Sequence, residues 1–231
     1  MRKLFGSLLC CFIPVSALRH AVRNRFNVRA GKTQNSGGKH NKIILVKNGK
    51  ERCVHALSGC EIYFRGDNNT VKIYSPLNRL HLQVKMYGNS ELLIHTSKFL
   101  DRRVKILGMS NSKVFVGADL FTNAECLMDC ADGADIHIGK DCIFSDFVEL
   151  RTGDGHTILN TNGEKINFNK SIYIGNHVWL GKYVMVLKGA GVSDNSVVGA
   201  HSVVTKKFDD KGVVIVGMPA KIIKTGVNWR M

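Results

Sequence analysis

The sequence has little proline, few aromatic residues and no carboxylate in its first fifty positions. Its 231 residues include three prolines and 8% aromatics beside 23 glycines. The glycines follow no G-X-Y period, which excludes a collagen-like chain, and 44% apolar residues can build a core, which excludes a disordered chain. Glycines placed between short stretches rich in Val and Ile predict turns between strands.

The seven cysteines lack the spacing of a metal site or of a disulfide framework. The sequence contains no C-x-x-C pair, and the number of cysteines is odd. Because zinc knuckles and small secreted scaffolds depend on such patterns, we expect reduced thiols, no metal and a cytoplasmic location.

The formal charge of +15 is concentrated at one end of the chain. Residues 1–50 hold eleven Lys or Arg and no acid, so residues 51–231 hold 22 bases and 18 acids. The first segment therefore carries +11 and the remainder only +4. The basic segment has no aromatic residues interleaved with its bases beyond Phe26, so no nucleic-acid partner is predicted.

Residues 1–30 combine an apolar stripe with basic residues. The basic start and short apolar stretch are compatible with a signal peptide, but Pro14 interrupts the stretch and several arginines follow it. Leu4, Leu8 and Phe12 recur at helical spacing. We expect an uncleaved amphipathic helix that either contacts an anionic inner membrane as a peripheral anchor or packs on the protein itself.

Polar, glycine-rich residues follow this helix, so residues 1–40 are predicted to be an arm and linker. From residue 41 to residue 137, turns begin at nearly even spacing, at Gly66, Gly88, Gly108 and Gly133. Such a repeat without helical periodicity predicts irregular coils of a β-solenoid, in which no coil can bury its apolar face alone.

Residues 138–225 contain a sharper repeat of six. Small or aliphatic residues recur four places after each repeated apolar position, and the pattern is interrupted only over residues 151–170. Residues 226–231 are a short tail. The uninterrupted apolar positions are Ile174, Leu180, Val186, Val192, Val198 and Val204.

The segments GDGHTILNTNGEKIN, SIYIGNHVWLGKYVMVLKGAGVSDNSVVGAHSVVTK and GMPAKIIK resemble the hexapeptide-repeat acyltransferases. Within that family, residues 136–225 look most like O-acetyltransferases of bacterial capsule, exopolysaccharide and lipopolysaccharide synthesis. The resemblance implies an all-β fold, a left-handed parallel β-helix, to which the sequence adds a short N-terminal helical arm. It also implies a homotrimer, acetyl-CoA as co-substrate and a carbohydrate acceptor whose hydroxyl receives the acetyl group.

The interruption at residues 151–170 contains the candidate catalytic residues. In the similar O-acetyltransferases a D-x-H-x-I segment supplies the general base, and the segment from Asp154 through His156 to Ile158 matches it. Histidine suits this role because its unperturbed pKa of ~6.5 lies near the working pH. Asp154 would either orient the imidazole or hold the acceptor, and Glu149 is the alternative orienting group.

Two other histidines, His177 and His201, occupy the outward fourth position of their hexads. We expect both to be solvated surface residues rather than catalytic groups.

Three glycines placed three hexads apart, Gly181, Gly199 and Gly217, are predicted to stack on neighbouring coils ~4.8 Å apart. They would form a column without side chains, although small residues can also serve merely to turn corners. The resemblance implies that the pantetheine arm of coenzyme A runs along such a column. The implied contacts are Trp179 at the acetyl end, Gly181, Gly199 and Ala200 along the arm, and Lys206 and Lys221 near the phosphates.

The same residues bear on other functions of this fold. A carbonic anhydrase of this fold usually has two metal-binding histidines five residues apart, and no two histidines of this chain have that spacing. An N-acetyltransferase acting on an amino-sugar nucleotide remains the alternative, since only the acceptor differs. A non-enzymatic β-solenoid scaffold is less favoured.

Overall fold

The computed structural model describes residues 31–74, 82–95, 99–100 and 103–230, and these residues form a solenoid of parallel β-strands. The fold confirms the predicted all-β solenoid. The helix predicted within residues 1–30 lies outside the described residues. The described part of the chain contains no helix with the length and apolar character needed to cross a bilayer.

Three sheets run along the solenoid, and from residue 82 onward the described strands follow the order sheet 1, sheet 2, sheet 3 in successive coils. Sheet 1 contains β1 (Lys32–Asn35), β4 (Cys60–Phe64), β6 (Leu82–Met86), β9 (Val104–Gly108), β12 (Cys126–Cys130), β15 (Val148–Arg151), β18 (Met185–Leu187) and β21 (Val203–Val204).

Sheet 2 contains β2 (Lys42–Lys47), β3 (Lys50–Cys53), β5 (Thr70–Tyr74), β7 (Glu91–Ile94), β10 (Lys113–Val116), β13 (Asp135–Ile138), β16 (Ile172–Ile174), β19 (Gly191–Val192) and β22 (Lys207–Phe208). Sheet 3 contains β8 (Phe99–Leu100), β11 (Phe121–Thr122), β14 (Ile143–Phe144), β17 (Trp179–Leu180), β20 (Val197–Val198), β23 (Val214–Gly217) and β24 (Ala220–Lys224). Neighbouring strands are parallel, except in the terminal pairs β2 with β3 and β23 with β24.

The register of sheet 1 shows how the coil length changes along the chain. Leu82, Val104, Cys126 and Val148 align in successive coils, so these coils have one constant length. Beyond them Glu149 aligns with Met185, and Met185 aligns with Val203. The coil between β15 and β18 is therefore twice as long as the coil that follows it. Its extra chain projects as a loop, because the strands on both sides keep their pairing.

The repeated apolar positions face the interior and form one core. The six uninterrupted positions from Ile174 to Val204 are at most 1% exposed, and each fully buried aliphatic side chain contributes about 1.5–3 kcal/mol. Four places later in each hexad, small residues such as Ala190 and Ser196 are also buried, with 0% exposure. The six-residue period thus marks the residues that face the interior of a three-sided prism.

Corner residues adopt the left-handed conformation that a tight corner requires. His177, Tyr183, Asn195 and His201 have φ values between 54° and 60°. Asn and His tolerate this conformation better than bulkier residues, so Tyr183 is unusual there.

One part of the predicted linker is a strand. β1 pairs with β4 from Lys32 opposite Glu61 to Asn35 opposite Phe64. The side chains of β1 are mostly exposed, and this strand is held by backbone hydrogen bonds at the edge of sheet 1. Its polar composition therefore gave no apolar pattern from which a strand could be predicted.

Candidate functional site

The loop at residues 152–171 leaves the corner between sheets 1 and 2. Within it a short hairpin forms, in which the amide of Ile166 donates to the carbonyl of Ile158 at 3.0 Å and Leu159 bridges Lys165. Ile158, Leu159 and Ile166 remain more than half exposed. The loop is therefore ordered by its own backbone and by polar contacts to the coils beside it rather than by burial of these apolar groups.

Asn167 organises the part of the loop that holds the predicted base. Its side chain is only 7% exposed, and its amide group donates to the Oδ2 of Asp154 at 2.8 Å and to the carbonyl oxygen of His156 at 2.7 Å. Its Oδ1 accepts from the amide of Ile158 at 2.7 Å. Sequence reasoning missed this residue, because nothing distinguishes it from the other asparagines of the loop.

Asp154 anchors the loop to the next coil. The ammonium group of Lys188 donates a hydrogen bond to its carboxylate. This bond, followed by that from Asn167, holds the pKa of Asp154 below its ordinary value. The carboxylate is thus ionised at neutral pH, with Lys188 as its partner.

The imidazole of His156 is exposed, and among the described residues it makes no hydrogen bond. Neither candidate orienting group contacts it. Asp154 is engaged by Lys188 and Asn167, whereas Glu149 is ion-paired with Arg151, which also contacts Asp129 at 3.2 Å. The structure therefore leaves the ring of His156 open to a substrate on the outside of the loop.

Trp179 lies on the outer face of sheet 3 and is 40% exposed. Its indole N–H donates to the hydroxyl of Ser145 on the preceding coil at 3.2 Å, which fixes the orientation of the ring. A second indole, Trp229, lies beside it with a centroid separation of 6.2 Å.

Trp229 belongs to the C-terminal tail, which returns to the solenoid. Its ring stacks on His177, its indole N–H donates to the carbonyl of His177 at 2.9 Å, and its own carbonyl lies 3.0 Å from the Nε2 of His177. Because a carbonyl only accepts, Nε2 must carry a proton. The prediction that His177 is a solvated surface residue is wrong, whereas His201 is exposed.

The predicted glycine column exists over two coils. Gly181 and Gly199 follow the paired residues Leu180 and Val198, and a Cβ on Gly181 would lie 2.7 Å from the backbone nitrogen of Ala200. The coils approach closely here because position 181 has no side chain.

Gly217 does not extend the column. Leu180 pairs with Val198, but Val198 pairs with Ile215, so the coil after β20 is shorter by one position and Val216 takes the place beside Gly199. A Cβ on Gly199 would meet the Cγ1 of Val216 at 2.6 Å. The expected spacing of three hexads fails because the coils shorten near the C-terminal end of the solenoid.

The remaining predicted contacts to acetyl-CoA, Ala200, Lys206 and Lys221, are exposed. Ala200 directly follows Gly199. The ammonium group of Lys206 lies 5.3 Å from the ring centroid of Phe208, and Lys221 lies on β24 opposite Val216. Lys206 lies just before β22, at the corner between sheets 1 and 2, whereas Lys221 lies on sheet 3, so one chain does not bring the two lysines to the same corner.

The loop of His156 and the glycine column occupy different corners of one prism. The loop leaves the corner between sheets 1 and 2, whereas Gly181 and Gly199 begin the turns between sheets 3 and 1. Within the described ranges no hydrogen bond or ion pair joins the loop to Trp179 or to either glycine. The same residues contain no cluster of three His, Cys, Asp or Glu side chains that could hold a metal ion.

No family model matches the chain. Among curated proteins, the polysialic acid O-acetyltransferase of Neisseria meningitidis is 34% identical over 188 residues, which cover 71% of this chain and 87% of that relative. The match therefore extends well beyond the hexads that carried the resemblance in the sequence.

Two solved structures show the same architecture. The polysialic-acid-specific acetyltransferase NeuO superposes with a TM-score of 0.75 at 29% identity, over 87% of this chain and 88% of that one. The polysialic acid O-acetyltransferase OatWY superposes with a TM-score of 0.69 at 27% identity, over 87% of this chain and 90% of that one. The irregular coils before residue 138 are therefore part of the shared fold.

Proposed function

This chain belongs to the hexapeptide-repeat O-acetyltransferases, enzymes built on a left-handed parallel β-helix, and we propose that it acetylates a sugar hydroxyl of a bacterial surface polysaccharide or its precursor. Acetyl-CoA is the proposed donor. The observation that carries the proposal is the open imidazole of His156 on a loop ordered by Asn167. A sialic acid polymer is the first acceptor to test, because the similar enzymes named above are polysialic acid acetyltransferases.

In the proposed reaction His156 is the general base. It takes the proton of the acceptor hydroxyl while that oxygen attacks the thioester carbonyl carbon. The new C–O bond forms, the C–S bond breaks, and the imidazolium returns the proton to the departing CoA sulfur. Backbone N–H groups beside Trp179 are the proposed donors to the carbonyl oxygen as negative charge develops on it.

The donor arm would lie along the two-glycine column. Gly181 packs against the backbone of Ala200 and Gly199 against the side chain of Val216, so the arm would run along the outer edge of these turns. Trp179, held by Ser145, would cover the acetyl end. The exposed lysines Lys206 and Lys221 are the proposed contacts to the phosphates of coenzyme A, with Lys221 on sheet 3 and Lys206 at the corner between sheets 1 and 2.

A homotrimer is proposed because one chain does not bring the base to the donor groove. The loop and the glycine column lie at different corners, so a second copy would supply the loop of His156 to the column of its neighbour. The sharing of one site between two subunits can be tested by mixing two inactive variants. Chains with His156→Ala and chains with Ala200→Trp, a change at an exposed predicted acetyl-CoA contact, should each be inactive alone and regain part of the activity when they are co-assembled. No recovery would argue for a site within one chain.

The basic N-terminal arm is proposed to hold this cytoplasmic enzyme at the anionic inner membrane. The arm carries most of the charge excess, whereas residues 51–231 are nearly balanced. Deleting residues 1–30 should weaken sedimentation with phosphatidylglycerol vesicles and leave the affinity for acetyl-CoA unchanged. Equal sedimentation of both forms would contradict the membrane role and favour packing on the protein.

The function itself is tested by incubating the full chain with acetyl-CoA and a panel of acceptors while free thiol is measured. The panel contains sialic acid polymers, other surface polysaccharides and amino-sugar nucleotides. Thiol release with a polysaccharide, and an acetyl ester identified by NMR, are expected. Release only with an amino-sugar nucleotide would establish the N-acetyltransferase alternative. A non-enzymatic scaffold would show neither release nor a thermal shift with acetyl-CoA.

A further inference from the structure

A cavity of about 320 Å³ opens at the corner between sheets 3 and 1, on the N-terminal side of the glycine column. Its lining includes Phe147, Lys105 and Glu149. This volume lies at the lower end of the range for small-ligand pockets, which is about 300–1,000 Å³. None of the residues proposed above to bind acetyl-CoA or to act on it lines this cavity.

An aromatic ring forms the lip of the cavity. Phe147 is 39% exposed and stacks on Tyr183 of the next coil, with ring centroids 5.0 Å apart and planes within 6°. One face of the Phe147 ring is therefore covered by Tyr183. The ring also lines the cavity, and the ammonium group of Lys182 lies 5.8 Å from its centroid, so the ring presents an aromatic surface beside a cation.

The backbone at both rings is held in an unfavourable conformation. Phe147 has a φ of 59° and Tyr183 a φ of 58°, the left-handed region that bulky residues rarely adopt. Asn111 and Asn195 occupy other corners with φ values of 57° and 60°. An asparagine at position 147 would adopt the same left-handed conformation with less strain. The phenylalanine strains the backbone there, although its ring is partly exposed and gains little from burial. Such strain is typical of binding sites.

Charged groups surround the aromatic lip. Lys105 lines the cavity and has no ion-pair partner among the described residues, while Arg103 is paired with Glu125. Lys182 lies 3.7 Å from Asp146 and 5.2 Å from the centroid of Tyr183. A sugar ring has one apolar C–H face and a rim of hydroxyl groups. An aromatic face bordered by donors and acceptors of both charges fits such a ring.

The cavity is adjacent to the proposed donor groove. The amide of Tyr183 donates to the carbonyl of Asp146 at 3.0 Å, and Gly181 precedes Tyr183 in the same turn. We propose that this cavity binds one sugar unit of the acceptor, next to the unit that is acetylated, with its C–H face on Phe147. The inference rests on the proposed function, in which the acceptor is a saccharide. It adds a specificity subsite that would favour a chain of sugars over a single sugar.

The test uses substitutions at position 147 that distinguish the effect of the aromatic ring from the effect of the strained backbone conformation. Phe147→Asn removes the ring and suits the left-handed corner, so its melting temperature should equal or exceed that of the wild type. Its affinity for short sialic acid oligomers, measured by calorimetry without acetyl-CoA, should fall about tenfold. Phe147→Tyr keeps an aromatic face and should bind like the wild type. Tyr87→Ala, which removes a ring at another corner, is the matched control and should also bind normally.

A wild-type dissociation constant in Phe147→Asn, or no binding of the oligomers by the wild type, would overturn the subsite. Measuring thiol release and the KM for the oligomer distinguishes failure of the subsite from failure of the proposed function. If the wild type transfers acetyl groups to the oligomers and the KM for the oligomer is the same in Phe147→Asn, the subsite is wrong and the function stands. If thiol release is absent with every acceptor while the oligomers bind through Phe147, the proposed function fails and the cavity remains a saccharide-binding site.

Discussion

The indole of Trp229 lies flat on the imidazole of His177, with ring centroids 4.0 Å apart and planes within 3°. Two polar contacts between the same residues, at 2.9 and 3.0 Å, close the tail onto the solenoid. Trp179 is the neighbour of this pair on sheet 3, so the tail provides a wall beside the proposed acetyl end of the groove.

Replacing Trp229 with alanine should remove the aromatic side chain that the tail places beside Trp179. Aromatic pairs contribute about 0.5–1.5 kcal/mol beyond burial, which corresponds to a change in equilibrium constant of roughly two- to tenfold. We therefore expect the KM for acetyl-CoA to rise by about this factor in Trp229→Ala. Initial rates of thiol release give the measurement, and Arg230→Ala in the same tail is the control. An unchanged KM would show that the tail is only packing.

The loop should depend on the side-chain amide of Asn167. In Asn167→Asp the shape is kept, but both N–H donors are lost and a carboxylate faces Asp154. Asn167 is only 7% exposed, and a buried carboxylate oxygen without a donor costs about 1–3 kcal/mol or more. We expect faster proteolytic cleavage within residues 152–171 and a large loss of turnover, with a dissociation constant for acetyl-CoA like that of the wild type. Asn162→Asp, at an exposed position of the same loop, should change neither cleavage nor turnover.

The hexads made the C-terminal half of the fold predictable from sequence. Each repeated position, from Ile174 to Val204, reports burial directly, because a three-sided coil returns to the same face with every third hexad. The earlier coils were predictable only as irregular coils of a β-solenoid, without a regular repeat. These coils are longer and have longer strands on two sides, so no six-residue period can persist there.

The features that sequence reasoning missed depend on contacts between distant residues. Asn167 acts through partners elsewhere in the loop, and the tail residue Trp229 reaches back to His177 on a much earlier coil. Val216 replaces Gly217 beside Gly199 because one coil is a residue shorter than those before it. Local composition carries none of this information. The candidate base itself was predictable because a polar insertion interrupts an otherwise regular repeat.

The two glycines of the column should differ in their tolerance of a methyl group. An alanine at 181 would place its Cβ 2.7 Å from the backbone nitrogen of Ala200, which cannot move without shifting a coil. At 199 the nearest atom, 2.6 Å away, is a methyl carbon of Val216, whose side chain can rotate. We expect Gly181→Ala to lower the free energy of unfolding by about 1–3 kcal/mol, and Gly199→Ala by less.

Chemical denaturation of both variants measures this difference. Gly199→Ala combined with Val216→Ala supplies the control, since removal of the Val216 methyl groups should restore much of the lost stability. Equal destabilisation by the two single substitutions would contradict the close approach of the coils at Gly181.

His156 is the proposed base that removes the proton of the acceptor hydroxyl. The direct measurement is the rate of thiol release by His156→Ala with acetyl-CoA and a polysaccharide acceptor, beside the dissociation constant for acetyl-CoA. His40→Ala, an exposed histidine in the first coil, serves as the control. General-base catalysis contributes about 10²- to 10⁴-fold, so the rate should fall by that factor while acetyl-CoA binds as in the wild type. A wild-type rate in His156→Ala would contradict the account.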